Sequence, residues 1–195
     1  RLDVIYAYYK AGESDSAIDA ADTFIRENPT HPRVDYAWYL KGLTDFERMP
    51  NFLERWFRVD LNQRPPTNAR RSFNAFATVV QQFPNSDYAH DSRRRMVYLR
   101  NRLADYEIAV ARYYVDRGAY VAAAQRAKVA VEEFDGAPAV REALEIMVFC
   151  YEKMDLKELA DKTRVMYRAN YEGEIGEGRN APVNKKKWYK LWLAT

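Results

Sequence analysis

Two histidines, one cysteine and one glycine-rich run are the places where this sequence could carry catalysis. His31 lies in the turn Asn28-Pro29-Thr30-His31-Pro32, and His90 lies near the start of a long helical stretch. Neither has a second histidine or a cysteine at metal-ligand spacing. Cys150 sits in the apolar stretch Ile146, Met147, Val148, Phe149, with no identifiable base. It reads as a buried, inert thiol, and a lone cysteine cannot close an internal disulfide. The run Gly173-Glu174-Ile175-Gly176-Glu177-Gly178 imitates a glycine fingerprint. No strand precedes it, and its glutamates would repel a phosphate, so it reads as a flexible linker. No Walker loop is present. The reading is of a protein that is not an enzyme, with no catalytic, cofactor-binding or metal-ligating residue to assign.

Aromatic side chains near cations offer a different chemistry, that of partner contacts. The chain holds 15 tyrosines, nine phenylalanines and four tryptophans, and most recur at the spacing of a helix stripe, as core residues do. Three groups exceed that role. The first is a glycine-free connection with Phe52, Trp56 and Phe57 among Arg55, Arg58 and Arg64. A long connection without secondary structure is often functional; its alternative role is a lid. Trp56 or Phe57 is expected to be at least half-buried against the helices, with Asp60 paired to Arg64 or Arg70. The second group is Tyr120 with Arg126, after Gly118. The third is the tail Lys185-Lys186-Lys187-Trp188-Tyr189-Lys190-Leu191-Trp192, suited to a membrane interface or a partner groove, with a solvated end as the alternative. Arg93, Arg94 and Arg95 spread around a helix and form no basic face.

The elements that must position these groups are helices. Glycines and prolines fall almost entirely where a helix would start or stop, and no segment alternates like a strand. The spacing predicts helices over residues 2–11, 14–28, 33–48, 67–82, 119–134, 138–153 and 155–169. Expected stripes include Tyr36, Tyr39, Leu40 and Leu43, then Ala69, Phe73, Phe76, Ala77 and Val80, then Tyr120, Ala124, Ala127, Val131 and Phe134. Asp155 and Glu158 are spaced as a capping box. Gly42 fits a position where paired helices approach closely. Residues 87–117 contain neither glycine nor proline. There Met96, Leu99, Leu103, Tyr106, Val110 and Tyr113 run in unbroken three-and-four steps. One helix of about 30 residues, about 45 Å long, is expected; the alternative is a kink near Asn101.

The repeat has a period. Asn28-Pro29, Phe83-Pro84 and Phe134-Asp135 end three helices at intervals of 55 and 51 residues. That exceeds the 34 of a tetratricopeptide repeat, and the excess is taken up by the insertion (about 49–66) and by the long helix (about 87–117). The fold class is all-α, a tetratricopeptide-repeat-like helical-pair solenoid. Residues 1–170 read as one solenoid domain, and 171–195 as a Gly/Glu linker followed by a basic-aromatic tail.

Composition narrows the function classes. Of 195 residues, 48% are apolar and 30% charged, which excludes wholesale disorder. No apolar run is long enough for a membrane-spanning helix. The net charge of +3 comes from the tail, whose last 18 residues hold five of the 31 basic residues and no acid. Nucleic acid is therefore not expected as a partner. The chain opens on Arg1 in helical sequence and reads as a fragment or processed product, with any signal peptide or lipid anchor upstream.

Specific strings then carry a resemblance. They are Leu2-Asp3-Val4-Ile5-Tyr6-Ala7-Tyr8-Tyr9-Lys10, Phe24-Ile25-Arg26, Asn28-Pro29-Thr30-His31-Pro32, Asp35-Tyr36 and Gly42-Leu43-Thr44. Phe57, Val59-Asp60, Arg64, Pro66, Ala69-Arg70, Phe73 and Pro84-Asn85-Ser86 follow. Arg102-Leu103-Ala104, Tyr106-Glu107, Tyr113-Tyr114, Arg117-Gly118-Ala119 and Arg126 complete the series. In this order, over about residues 1–170, the chain resembles the BamD family. These are tetratricopeptide-repeat lipoproteins of the bacterial outer-membrane β-barrel assembly (BAM) machinery. Pro65 departs from the family, which favours an acid there.

The resemblance implies a non-enzymatic scaffold on the periplasmic face of the outer membrane, lipid-anchored through an upstream cysteine, with a first repeat also upstream. It implies binding to the POTRA domains of a BamA-type insertase through the C-terminal repeats, with Arg126 as a contact. Other BAM lipoproteins and unfolded outer-membrane protein precursors would use other surfaces. The alternative is a generic periplasmic or cytosolic peptide-binding adaptor or chaperone co-factor built on the same repeat. An enzyme with an atypical site is the remaining class.

Overall fold

Two kinds of turn, each used repeatedly, set the helix order of this chain. The computed structural model describes residues 1–48 and 66–171. Among them are eight helices and no strand: α1 (Leu2–Ala11), α2 (Ser14–Glu27), α3 (Val34–Glu47), α4 (Thr67–Gln82), α5 (Ala89–Asp116), α6 (Tyr120–Glu133), α7 (Val140–Lys153) and α8 (Lys157–Asn170). This is the expected tetratricopeptide-like helical repeat.

The first kind of turn ends α1, α5 and α7. Gly12 donates its N–H to Tyr9 at 3.1 Å while Glu13 donates to Tyr8 at 3.0 Å. Gly118 and Ala119 repeat this on Val115 and Tyr114, and Asp155 and Leu156 repeat it on Glu152 and Tyr151. The motif needs a left-handed residue, and φ is 75° at Gly12, 70° at Gly118 and 55° at Asp155. The capping box expected from Asp155 and Glu158 is therefore not formed. A residue held left-handed cannot take the extended geometry of an N-cap. Leu156 precedes α8, with no side-chain cap, and Glu158 instead pairs with Lys162 at 2.7 Å.

The second kind links α2 to α3, α4 to α5 and α6 to α7. His31 donates to Asn28 and Val34 to His31; Ser86 to Phe83 and Ala89 to Ser86; Ala137 to Phe134 and Val140 to Ala137. The three turns start at the same Asn28, Phe83 and Phe134 that set the period in the sequence. Each starting residue has nearly the same backbone, with φ of −134°, −128° and −122°.

The chain divides into two compact units, Arg1–Leu103 and Ala104–Thr195. In the first, α1, α2 and α3 pack on one another and α4 packs on α3. Its core includes Ile5, Ala17, Ala21, Leu40, Ala75, Phe76, Val79 and Leu99. The α3–α4 approach is close. The Ser72 hydroxyl donates to the Gly42 carbonyl at 2.8 Å, and a Cβ on Gly42 would lie 2.7 Å from the Phe76 ring. Gly42 thus has the close-packed role expected of it. The buried line of α4 is Ala69, Ser72, Ala75, Phe76 and Val79, one step round from the expected stripe, because Ser72 is drawn inward by that carbonyl.

In the second unit α7 packs between α6 and α8, around Ala123, Ala127, Val131, Leu144, Val148 and Tyr167. Helix α5 is unbroken from Ala89 to Asp116, and the boundary between units falls within it. The expected stripe holds at Leu99 and Leu103 but not beyond. The buried residues there are Ala104, Glu107, Ile108 and Ala111, while Tyr113 is exposed. A straight helix drifts against a strict three-and-four pattern, and small residues mark the side on which other backbone comes close.

Candidate partner-binding surfaces

The candidate residues on α4 to α6 can be placed directly. Arg70 is an exposed residue of the first turn of α4. Trp56, Phe57, Asp60 and Arg64, with the expected burial of the insertion, lie outside the described residues, as do Trp188 and Trp192 in the tail. Tyr120 and Arg126 both lie on α6, but on different sides of it.

Tyr120 packs on a small cluster of Ala123, Ala124 and Cys150 and meets Phe149 edge-on at 6.0 Å. Arg126 turns toward α5, its Nη1 3.1 Å from Oε2 of Glu107. The glutamate is buried, whereas the arginine side chain is 42% exposed. One face of Arg126 therefore serves the fold and the other remains available to a partner. Arg112 braces the same unit by a two-pronged contact with Glu142, both bonds 2.5 Å.

The first unit contains an aromatic surface, of whose rings the helix spacing places only Tyr36 and Tyr39, and those in an apolar stripe. Tyr6 on α1 is exposed, and Tyr9 on α1, Tyr36 and Tyr39 on α3 and Tyr88 before α5 are only partly buried. Tyr39 stacks on Tyr88 at 4.7 Å, and Tyr36 lies 5.1 Å from Tyr88. Lys10 lies over Tyr6 and Tyr9, and Arg33 over Tyr36. The signal was the paired spacing Tyr6/Tyr9 and Tyr36/Tyr39, a tyrosine every three residues on successive first helices.

Hydrogen bonds fix this surface. Tyr39 donates to Asp91 at 2.7 Å, and Arg95 holds the same carboxylate oxygen at 2.6 Å while covering the Phe46 ring. Burial, then the bond to Asp91, pushes the Tyr39 hydroxyl up to about 12. Burial alone would raise Asp91, but Arg95 and Tyr39 together hold it below the usual carboxylate range. Tyr9 donates to Glu47, and burial followed by that bond raises its pKa. Arg95 is thus committed internally, while Arg93 and Arg94 are exposed, as the absence of a shared basic face requires.

Among the described residues, nucleophiles and metal ligands do not converge. Cys150 is fully buried, and desolvation lifts its thiol to about 11. His31 accepts the Arg33 N–H at Nδ1 and packs edge-on against Phe24 at 5.2 Å, a turn-forming role. Among the described residues no group of three His, Cys, Asp or Glu side chains could hold a metal ion. No helix among them is long and apolar enough to cross a membrane.

Stacked helix pairs with partly exposed aromatic faces define a helical-repeat protein of the tetratricopeptide type. The chain belongs to the outer membrane lipoprotein family YfiO, whose model matches residues 1–166. It is 40% identical over 192 residues to the outer membrane protein assembly factor BamD of Neisseria gonorrhoeae, covering 98% of this chain and 72% of that protein. The BamD of Neisseria meningitidis serogroup B is 42% identical with the same coverage. That of Vibrio cholerae is 35% identical over 170 residues, 87% of this chain and 70% of that protein.

Proposed function

We propose that this chain is a non-catalytic scaffold of outer-membrane protein assembly, working at the periplasmic face of the outer membrane as part of a BAM complex. The observation that carries the reading is the similarity along nearly the whole chain to proteins named outer membrane protein assembly factors. The two units suit two tasks. The tyrosine-bearing face of the first offers rings and cations to an unfolded β-barrel precursor, because aromatic faces grip extended chains with little loss of side-chain entropy. The second unit, with Tyr120 and Arg126, takes the POTRA domains of a BamA-type insertase. Other BAM lipoproteins use the remaining surfaces, for which Arg70 is a candidate, and Trp56, Phe57, Asp60 and Arg64 of the insertion (about 49–66) are candidate contact residues by sequence alone. Trp188 and Trp192 are candidates for a contact made by the tail. A lipid anchor upstream of Arg1 holds the protein at the membrane.

The test is direct binding. The chain is titrated with purified POTRA domains of the insertase from the same organism, and separately with a urea-denatured barrel precursor diluted into buffer. Saturable binding to both is expected. Binding to unfolded peptides of any kind with none to the POTRA domains would favour a generic peptide-binding adaptor.

A further inference from the structure

The start of α7 and the end of α8 enclose a cation whose hydrogen bonds are not spent. Arg141, in the first turn of α7, is only 8% exposed. Its guanidinium lies over the rings of Tyr167 and Tyr171, 5.7 and 5.8 Å from their centroids. Nε donates to the Tyr167 hydroxyl at 2.9 Å, and that hydroxyl donates in turn to Glu145 at 3.0 Å. Glu145 lies 3.6 Å from the same Nε. Nη1 and Nη2 are both shut off from solvent and have no hydrogen-bond partner among the described residues. Glu142, the acid in that first turn, is spent on Arg112, and the turn has no side-chain cap.

A guanidinium has five N–H donors in one plane, four of them on the η nitrogens. Aromatic rings attract its charge but replace no acceptor for those four. Charged donors buried without an acceptor are costly, so the η edge calls for a carboxylate, whose two oxygens match the fork. We propose that Nη1 and Nη2 of Arg141 seat a carboxylate of the acidic segment that follows Tyr171, so that this segment is strapped over the ends of α7 and α8. Residues 172–178 carry Glu172, Glu174 and Glu177 and no base. The chain enters this segment beside the guanidinium, because Tyr171 closes α8 and its ring is one of the two that cover Arg141. Glu172 is the next residue, and Glu174 can lie no more than about 11 Å of chain beyond Tyr171. Gly173 between them lets the backbone turn back. A soluble anion would have to reach a guanidinium that water does not touch, whereas an acid joined to Tyr171 is carried there by the packing of that ring. The strap goes beyond the assembly role and does not depend on it. It sets the point from which the basic-aromatic tail departs.

The test uses the full chain, the triple variant Glu172→Ala/Glu174→Ala/Glu177→Ala, Arg141→Gln, and all four changes together. Thermal melts and backbone amide exchange of residues 172–178 are measured, with inorganic phosphate as the probe of a vacated site. The triple variant should lower the melting temperature and speed exchange in the segment at least tenfold. Added to Arg141→Gln, it should cost little more than Arg141→Gln alone. Phosphate should raise the melting temperature of the triple variant more than that of wild type. Losses that simply add would overturn the proposal. If Arg141→Gln does not fold, the triple variant decides alone: unchanged melting with unchanged exchange would overturn the strap. Equal stabilisation of wild type and triple variant by phosphate would assign the η edge to a soluble anion and overturn it as well.

Discussion

Arg126 reaches across from α6 to α5, where its Nη1 lies 3.1 Å from Oε2 of the buried Glu107. Residues 19 positions apart are thus joined by an ion pair with one end inside the protein and the other in water. Such an arginine cannot be changed without effect on folding. Removing it strands the carboxylate, at a cost of about 3–5 kcal/mol for a fully buried pair. Solvent around the half-exposed arginine reduces that to about 1–2 kcal/mol here.

Arg126→Glu is therefore expected to lower the melting temperature, because it sets a second carboxylate against Glu107. Glu107→Gln should be milder, and Arg126→Gln/Glu107→Gln should recover most of the loss. Chemical denaturation of Arg126→Gln, Glu107→Gln and the double variant supplies the cycle. A loss in the double variant equal to the sum of the two single losses would show that the pair contributes nothing. A fall in insertase binding in Arg126→Glu has meaning only after this correction.

Asp45 presents the opposite balance. Its carboxylate is fully buried between α3 and α4, with Arg71 Nε 3.2 Å from Oδ2 but aligned for no hydrogen bond. Burial raises its pKa, against the pull of Arg71, Arg48 and Lys41. The native state then binds a proton more readily than the unfolded chain, so stability from this group is greatest at acid pH. It declines as pH rises from about 4 through the raised native value. Asp45→Asn should stabilise the protein at pH 7 by roughly 1 kcal/mol. Melts from pH 4 to 7 should show the advantage of the variant growing with pH, and a constant or shrinking difference would contradict the assignment.

Asp45 also shows where the sequence stops being informative. Helix types, the three repeat-ending turns and the unbroken α5 were legible, because glycine, proline and apolar spacing are local signals. The long-range commitments of polar side chains were not. Tyr39 reads as a core residue by spacing, yet its hydroxyl is spent on Asp91, 52 positions away. Arg126 reads as a residue able to reach outward, and half of it does, but Glu107 was invisible as its partner. In α5 the apolar letters Tyr106 and Tyr113 outvoted Ala104 and Ala111, although small residues are what a close approach requires.

The Gly42 contact should tolerate almost nothing larger. A helix-interior Gly→Ala change would ordinarily gain about 1 kcal/mol from propensity. Here the added Cβ would sit 2.7 Å from a Phe76 ring that is wholly buried and cannot swing away. Overpacking of this kind costs about 1–3 kcal/mol, so Gly42→Ala should be net destabilising. Gly42→Ala/Phe76→Leu should be more stable than the two single losses add up to, measured by denaturant midpoints.

Cys150 offers a readout of opening in the second unit. It is fully buried among Ala123, Ala124 and Tyr120, and desolvation lifts its thiol to about 11, so the reactive thiolate is scarce at neutral pH. Alkylation of the folded chain should be slow and should accelerate to the rate of a free cysteine in denaturant. Asp155, at the left-handed turn between α7 and α8, provides the lever. Glycine is relieved of the strain that a side chain suffers at positive φ, so Asp155→Gly should stabilise this unit by about 1 kcal/mol. The exposed Lys157 contact that it removes contributes little against that. Asp155→Gly should therefore slow alkylation of Cys150 several-fold under conditions where the native state opens and recloses faster than the reagent reacts. Unchanged labelling with a raised melting temperature would mean that the thiol is exposed by a local motion that does not involve the α7–α8 turn.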